Sequence, residues 1–324
     1  MVSKVTPDTM LSASRLPAVM GLSKYRSAND ELIYSINALQ GGEREDISNE
    51  SMDWGNQLEP LILKEAARRL ELADLVLDHP EPRFHDALPL CCSLDGTGMG
   101  TGQVISTDPD KGIYVVGQDS IVLDGMGVLE AKLTAVKAED SPPLWRGPVQ
   151  LQAQMDIVKA KWGCVATLYQ GTELRLFLFA PHEDTLDAID RATTVFQKKL
   201  DFWKETGGID YYAPQDSKDA DRVWPKAVEE LEPLPLGHSV GEWAQKILAN
   251  KEQMARLQSE IDEHETKIKE LMKDNGMAIA GDYQIKWGMR SYRAQPEKVI
   301  PAKPAYVIRQ STLTIKKASP VHAE

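Results

Sequence analysis

Between Arg83 and Ala135 the chain alternates short apolar runs with Gly and Asp: Leu88–Leu94, Ile113–Val116, Ile121–Leu123 and Val128–Leu133. Runs of that length bounded by turn formers predict strands. Asp124-Gly125 between the last two predicts a hairpin. On either side the apolar period lengthens to that of helices. A helix is expected near 29–40, capped by Asn29 or Asp30. A second is expected to start at Asp53 and run through Trp54, Glu59 and Ile62 to about Leu70, and Pro60 fits it only in the first turn or at a kink. After the β-rich block come a helix at about 148–161, a hairpin of Cys164–Tyr169 and Leu174–Phe179 around Gly171, and a helix at about 183–205.

The texture changes again beyond 206. Gly207-Gly208, Pro214, Pro225, Pro233 and Pro235 mark 207–240 as a linker carrying a short helix. A long polar helix follows over about 241–274, with Ile247, Met254, Ile261 and Ile268 recurring every seven residues and Leu257 and Leu271 three positions after two of them. Asn250 and His264 interrupt that second row, which favours an antiparallel intramolecular or oligomer-facing helix over a long parallel coiled coil. Asp274-Asn275-Gly276 ends it. The remainder reads as a strand at Tyr283, Ile285 and Trp287, a Pro-rich loop at 301–304 and a strand at Leu313 and Ile315. The expected organisation is a core at 1–206, a linker at 207–240, and a helical arm with a basic β-hairpin at 241–324.

Composition narrows the function. A chain of 324 residues, 42% apolar and 27% charged, buries a sizeable core. Its net charge of −12 argues against indiscriminate nucleic-acid binding. The sign is uneven, however: Lys286, Arg290, Arg293, Lys298, Lys303, Arg309, Lys316 and Lys317 stand against Glu297 alone in 284–317. Lys286, Arg290 and Arg293, among Tyr283, Trp287 and Tyr292, are candidates for DNA contact. Cys91, Cys92 and Cys164 have no metal-site spacing and fit a reduced compartment. No apolar run approaches a membrane span and the N-terminus lacks a signal-peptide core, so the cytoplasm is the expected location.

The chemistry concentrates at Leu129-Glu130-Ala131-Lys132. On a strand Glu130 and Lys132 share one face, and Leu129, Ala131 and Leu133 the other. A carboxylate holds a divalent cation, and a lysine beside it orients or deprotonates a water. Alone, the pair describes a solvated ion pair equally well. One carboxylate also holds Mg²⁺ poorly, so further oxygen ligands are needed. Asp95, in Ser93-Leu94-Asp95-Gly96, ends an apolar strand where Gly96 lets the chain turn away, and Glu59 lies near the start of a helix able to pack over the sheet.

In chain order, Ser12-Ala13-Ser14, Trp54-Gly55-x-x-Leu58-Glu59, Cys92-Ser93-Leu94-Asp95-Gly96, Leu129-Glu130-Ala131-Lys132 and Gln152-Ala153-Gln154 resemble the motifs of the YqaJ, or lambda exonuclease, family of the PD-(D/E)XK nuclease superfamily. The resemblance spans roughly residues 9–180. It implies an α/β fold, a restriction-endonuclease-like core with a central mixed sheet flanked by helices. It also implies Mg²⁺-dependent (or Mn²⁺-dependent) exonuclease action on one strand of linear duplex DNA, 5′→3′, leaving 3′ tails for phage-type recombination. Asp95, Glu130 and the Ala131 carbonyl would bind the metal, and Glu59 would bind it or its shell. Lys132 would position or activate the attacking water, and Gln152 would contact that water or the scissile phosphate. Ser12, Ser14 and Ser93 stand where the family contacts a 5′-phosphate. The partners implied are double-stranded DNA ends, a single-strand annealing protein and a ring-shaped homotrimer.

The chain departs from the family's pattern at Leu94, where Pro is usual, and in an apparent insertion at 97–118. It also has no arginine upstream of Ser12, leaving Arg15 or Lys137 as substitutes. A structure-specific or restriction-like endonuclease on the same core, and a non-catalytic DNA-end-binding recombination adaptor, are the rival readings.

Overall fold

The computed structural model describes residues 6–42, 49–77, 79–225 and 234–289. The chain divides into two units, one ending at Trp224 and one starting at Pro225. The first begins with β1 (Leu11–Ser12), a 3-10 turn (Ala13–Arg15), α1 (Leu16–Val19), α2 (Ala28–Leu39) and α3 (Glu50–Arg69). Its β-rich part comprises β2 (Asp74–Leu77), β3 (Arg83–Phe84), β4 (Leu90–Cys92), β5 (Gly96–Ser106), β6 (Ile113–Val115) and β7 (Ser120–Thr134). Then come α4 (Pro148–Val158), β8 (Gly163–Tyr169), β9 (Glu173–Phe179), α5 (Glu183–Thr206) and α6 (Ser217–Val223). The second unit contains α7 (His238–Met272), β10 (Met277–Ala280) and β11 (Tyr283–Lys286).

Six strands form the central sheet in the order β2-β5-β7-β8-β9-β6. β7 and β8 are parallel, as are β6 and β9, and the other neighbours are antiparallel. The β7–β8 pair needs a crossover, which α4 supplies. Successive residues of β7 face opposite sides. Leu129 joins Leu63, Leu70, Trp162, Cys164 and Leu176 in the layer under α3. Val128 joins Leu16, Leu32, Leu151, Met155, Val165, Phe177 and Phe196 in the layer under α1, α2, α4 and α5. Glu130 and Lys132 have the parity of Val128, so they enter the α4 side. The result is a mixed sheet with helices on both faces, the architecture that the resemblance implies.

Four sequence expectations are corrected here. Asp124-Gly125 makes no hairpin: β7 runs through it, pairing Thr101 with Asp124 and then Gln103 with Leu123, so Gly102 is an extra residue in β5. The positive φ of Gly125, 72°, serves a kink within a long strand. The connection between β5 and β7 lies at 107–119 and carries β6 to the far edge of the sheet beside β9.

The second helix starts at Glu50, where Asn49 caps it by accepting the Met52 N–H at 3.1 Å. Asp53 is therefore a first-turn acid, and Pro60 lies inside the helix, where it forfeits the bond to the Asn56 carbonyl. The α2 cap is Ser27 rather than Asn29 or Asp30, in a capping box with Asp30.

Residues 207–224 belong with the first unit and do not begin a linker. Tyr212 exchanges two backbone bonds with the Asn29 amide, at 2.8 and 3.1 Å, and buried Asp219 accepts from Ser27 Oγ at 2.6 Å and Asn29 Nδ2 at 3.0 Å.

In the second unit, Glu252–Arg256, Glu263–Lys267 and Glu265–Lys269 pairs lace one turn of α7 to the next. Its seven-residue row of Ile247, Met254, Ile261 and Ile268 is exposed. The hairpin pairs β10 with β11 across Gly281-Asp282. The expected second strand at Leu313 and Ile315 lies outside the described residues, as do Arg290 and Arg293.

Candidate active site

The β5–β7 ladder ends where Gly96 pairs with Leu129. Beyond that point β7 continues beside β8 alone, through Glu130–Val165, Ala131–Ala166 and Lys132–Thr167. Asp95 occupies the vacated edge, accepting the Ala131 N–H at 3.0 Å. Within a strand the N–H and C=O of one residue project to the same edge, so the Ala131 carbonyl faces Asp95's side. Gly96 has no positive φ and does not turn the chain by special geometry. A Cβ there would stand 2.9 Å from Leu63 Cδ1 and 3.3 Å from the Val76 carbonyl, so glycine admits β5 beneath α3.

Glu130 is 1% exposed. Lys132 Nζ donates to its Oε1 at 2.6 Å, and Gln154 Nε2 donates to its Oε2 at 2.7 Å. Burial, and then repulsion from Asp95, push the Glu130 carboxyl up from its ordinary 4.5 to about 7, against the opposing pull of Lys132 and Gln154. At Lys132 burial opposes the charge, but Glu130 and Asp95, with a smaller effect from Glu59, outweigh it and raise the ammonium above its usual range. The cluster is therefore three carboxylates around one ammonium. Lys132 Nζ donates to Glu130 Oε1 and to Gln150 Oε1.

Asp95, Glu130, Ala131, Lys132 and Glu59 are thus brought together as expected, Glu59 from the third turn of α3 and not from the helix start. Among the described residues no three His, Cys, Asp or Glu side chains form a ready-made metal-ligand group. Both Glu130 oxygens are engaged by protein donors. Even so, two mutually repelling carboxylates and a backbone carbonyl edge make the small, all-oxygen donor set that Mg²⁺ takes while keeping several waters. The residues fit such a cation, with Asp95, Glu130 and the Ala131 carbonyl to hold it.

Gln152 is corrected. Its Nε2 donates to the Ala180 carbonyl at 2.8 Å and its Oε1 accepts the His182 N–H at 2.9 Å, so it braces the junction of β9 and α5. The glutamines that face the cluster are Gln150, whose Oε1 accepts from Lys132 Nζ at 3.1 Å, and Gln154, which also donates to the Ser93 carbonyl at 3.1 Å. Positions four apart share a helix face and positions two apart do not. The spacing of Gln150 and Gln154 was the available signal.

Arg15 is corrected too. Its five N–H donors go to Glu31 Oε2, the carbonyls of Asp8, Met10 and Glu31, and Ser35 Oγ, so none is left for a phosphate. It is a strut between the N-terminal segment and α2. Ser12 is buried, with its Oγ 3.1 Å from that of exposed Ser14. Ser93 is half-buried beside Asp95, and Lys137 is exposed on the loop after β7. Lys286 is exposed at the end of β11. The three cysteines are buried and free, and burial pushes their thiols up to about 11 for Cys91 and about 12 for Cys92 and Cys164. Among the described residues no helix is long and apolar enough to cross a membrane.

Residues 6–145 match the family model of the YqaJ-like viral recombinase domain. Among solved structures, the chain is similar to LHK-Exo in complex with dAMP (18% identity, 61% of this chain and 90% of that one, TM-score 0.42). It is also similar to an alkaline exonuclease from Laribacter hongkongensis (16% identity, 61% and 91%, TM-score 0.44) and to a phage-related exonuclease from Haemophilus somnus 129PT (13% identity, 61% and 96%, TM-score 0.36). No curated protein matches the chain. The segment that is similar to the YqaJ-like viral recombinase domain contains Glu59, Asp95, Glu130 and Lys132.

Proposed function

We propose that this protein is a divalent-metal-dependent deoxyribonuclease that digests one strand of linear duplex DNA, 5′→3′, and leaves 3′ single-stranded tails for phage-type recombination. The observation that carries this reading is the convergence of Asp95, Glu130 and Lys132 on one strand edge within a YqaJ-like domain. A cation held by Asp95, Glu130 and the Ala131 carbonyl would supply positive charge where negative charge builds up on the phosphate in the transition state. Lys132, kept protonated by its acidic neighbours, orients the attacking water by donating to it. Water oxygen bonds to phosphorus as the phosphodiester oxygen leaves; the water gives up a proton to solvent and the departing oxygen takes one from solvent. Gln150 holds the ammonium without competing for its proton.

Ser12, Ser14 and Ser93 are proposed to meet the 5′-terminal phosphate, with Lys137 as the cation because the Arg15 donors are taken up by protein acceptors. Lys286, Arg290 and Arg293, with Tyr283 and Trp287, are proposed to contact duplex phosphates. A single-strand annealing protein and a homotrimeric ring complete the reading by family resemblance, in a cytoplasmic setting. Digestion of 5′-phosphorylated, 5′-hydroxyl and covalently closed circular duplexes, each with Mg²⁺ and with chelator, tests it. Loss of activity in chelator and on the circle is expected. Cleavage of the circle would overturn the exonuclease reading in favour of an endonuclease.

A further inference from the structure

Gln154 is fully buried, and its amide nitrogen serves two elements at once. It donates to the Ser93 carbonyl, two residues before Asp95, and to Glu130 Oε2 on β7. The backbone ladder between these strands stops at Gly96–Leu129, one residue short of both carboxylates. Past that point this amide and the Ala131 N–H to Asp95 tie the two segments together. Repulsion from Asp95 acts on Glu130 across the same gap. A neutral amide resists that repulsion without cancelling the charge that a cation needs. One helical turn earlier, Gln150 reaches Lys132 and not a carboxylate.

We infer that the two glutamines are positioning residues with separable duties: Gln154 sets the cation affinity of the Asp95–Glu130 pair by fixing their separation, and Gln150 acts on turnover through Lys132. This rests on the proposed function, in which that pair holds the cation. Partners of metal-ligating groups typically contribute 10- to 100-fold in metal affinity or activity.

The test is Mn²⁺ binding to the full chain without DNA, read from the electron paramagnetic resonance of free Mn²⁺, for wild type, Gln154→Leu, Gln154→Asn, Gln150→Met and Asp95→Asn. The asparagine keeps an amide but is one methylene too short to span both acceptors. Both Gln154 variants should bind Mn²⁺ about 10-fold or more weakly. Gln150→Met should keep wild-type affinity and hydrolyse DNA more slowly at saturating Mn²⁺. A folded Gln154 variant with wild-type affinity, or a Gln150 variant that loses affinity, overturns the inference. Wild-type affinity in Asp95→Asn, or no binding by wild type, overturns the proposed site itself. Wild-type protein gives a reading independent of variant folding: the Gln154 side-chain amide resonances should shift on Mg²⁺ addition while staying protected from exchange. Resonances unmoved by saturating Mg²⁺ also overturn the inference.

Discussion

Asp95 accepts the Ala131 N–H at 3.0 Å, taking the place of a strand neighbour where β5 leaves β7. That bond holds one carboxylate beside a second that is almost wholly buried, and the folded chain bears the repulsion. Asp95→Asn keeps the acceptor and removes the charge. It should stabilise the metal-free protein at pH 8 by about 1 kcal/mol, the usual scale of a stability–function trade-off. Thermal melts in chelator check this; a lower melting temperature for the variant contradicts it.

Burial of Glu130, with the same repulsion added to it, sets a pH dependence. Glu130 rises from its ordinary 4.5 to about 7 in the folded chain, so the folded state binds the proton more tightly than the unfolded state. The stabilisation is complete below 4.5 and disappears as pH climbs through about 7. Metal-free wild type should therefore lose stability from Glu130 across that window, and Asp95→Asn should lose less. Denaturant titrations at several pH values in chelator measure both slopes, and parallel slopes contradict the coupling.

Arg15 places every donor on protein acceptors, including Glu31, whose side chain is 2% exposed. Arg15→Met strands that carboxylate with Arg26 alone, and should cost about 3 kcal/mol or more of stability. The preference for 5′-phosphorylated over 5′-hydroxyl ends should survive among folded molecules. A well-folded variant that has lost the preference would return Arg15 to the phosphate pocket.

Gln152→Ala removes partners from the Ala180 carbonyl and the His182 N–H at the start of α5. A loss of about 1–3 kcal/mol is expected for stranding buried backbone groups. Mn²⁺ affinity should be unchanged, and calorimetric titration of the folded variant reads it; a large loss of affinity would place Gln152 in the site.

Truncation after Asn275 removes Lys286, Arg290 and Arg293. It should weaken duplex binding and flatten its dependence on salt, since fewer counterions are released. Fluorescence anisotropy over a salt series measures the slope; an unchanged slope removes the tail from the DNA interface.

Where local chemistry decides, the sequence could be read directly. The apolar periods of α4, α5 and α7, and of the β8–β9 hairpin, place those elements close to where they stand. Asp124-Gly125 misleads because a positive-φ glycine serves a strand kink as well as a turn, and only the long-range pairing with Thr101 and Gly100 distinguishes them. The acids and Lys132 were legible because their motifs occur in order. The choice among Gln150, Gln152 and Gln154 was not, since α4 is buried nearly all round and its apolar pattern does not reveal which face meets β7. Arg15 looked like a spare cation because its acceptors lie up to 20 residues away along the chain.

The central claim is that DNA is hydrolysed with a divalent cation at the Asp95–Glu130–Lys132 edge. Its most direct test is nucleotide release from linear duplex DNA by wild type, Glu130→Ala and Lys132→Ala, each with Mg²⁺ and with chelator. Each substitution should lower the Mg²⁺-dependent rate by on the order of 10²-fold or more, the cost of removing one transition-state-stabilising group. Chelator should abolish the wild-type rate. Folded variants that release nucleotides as fast as wild type would contradict the account.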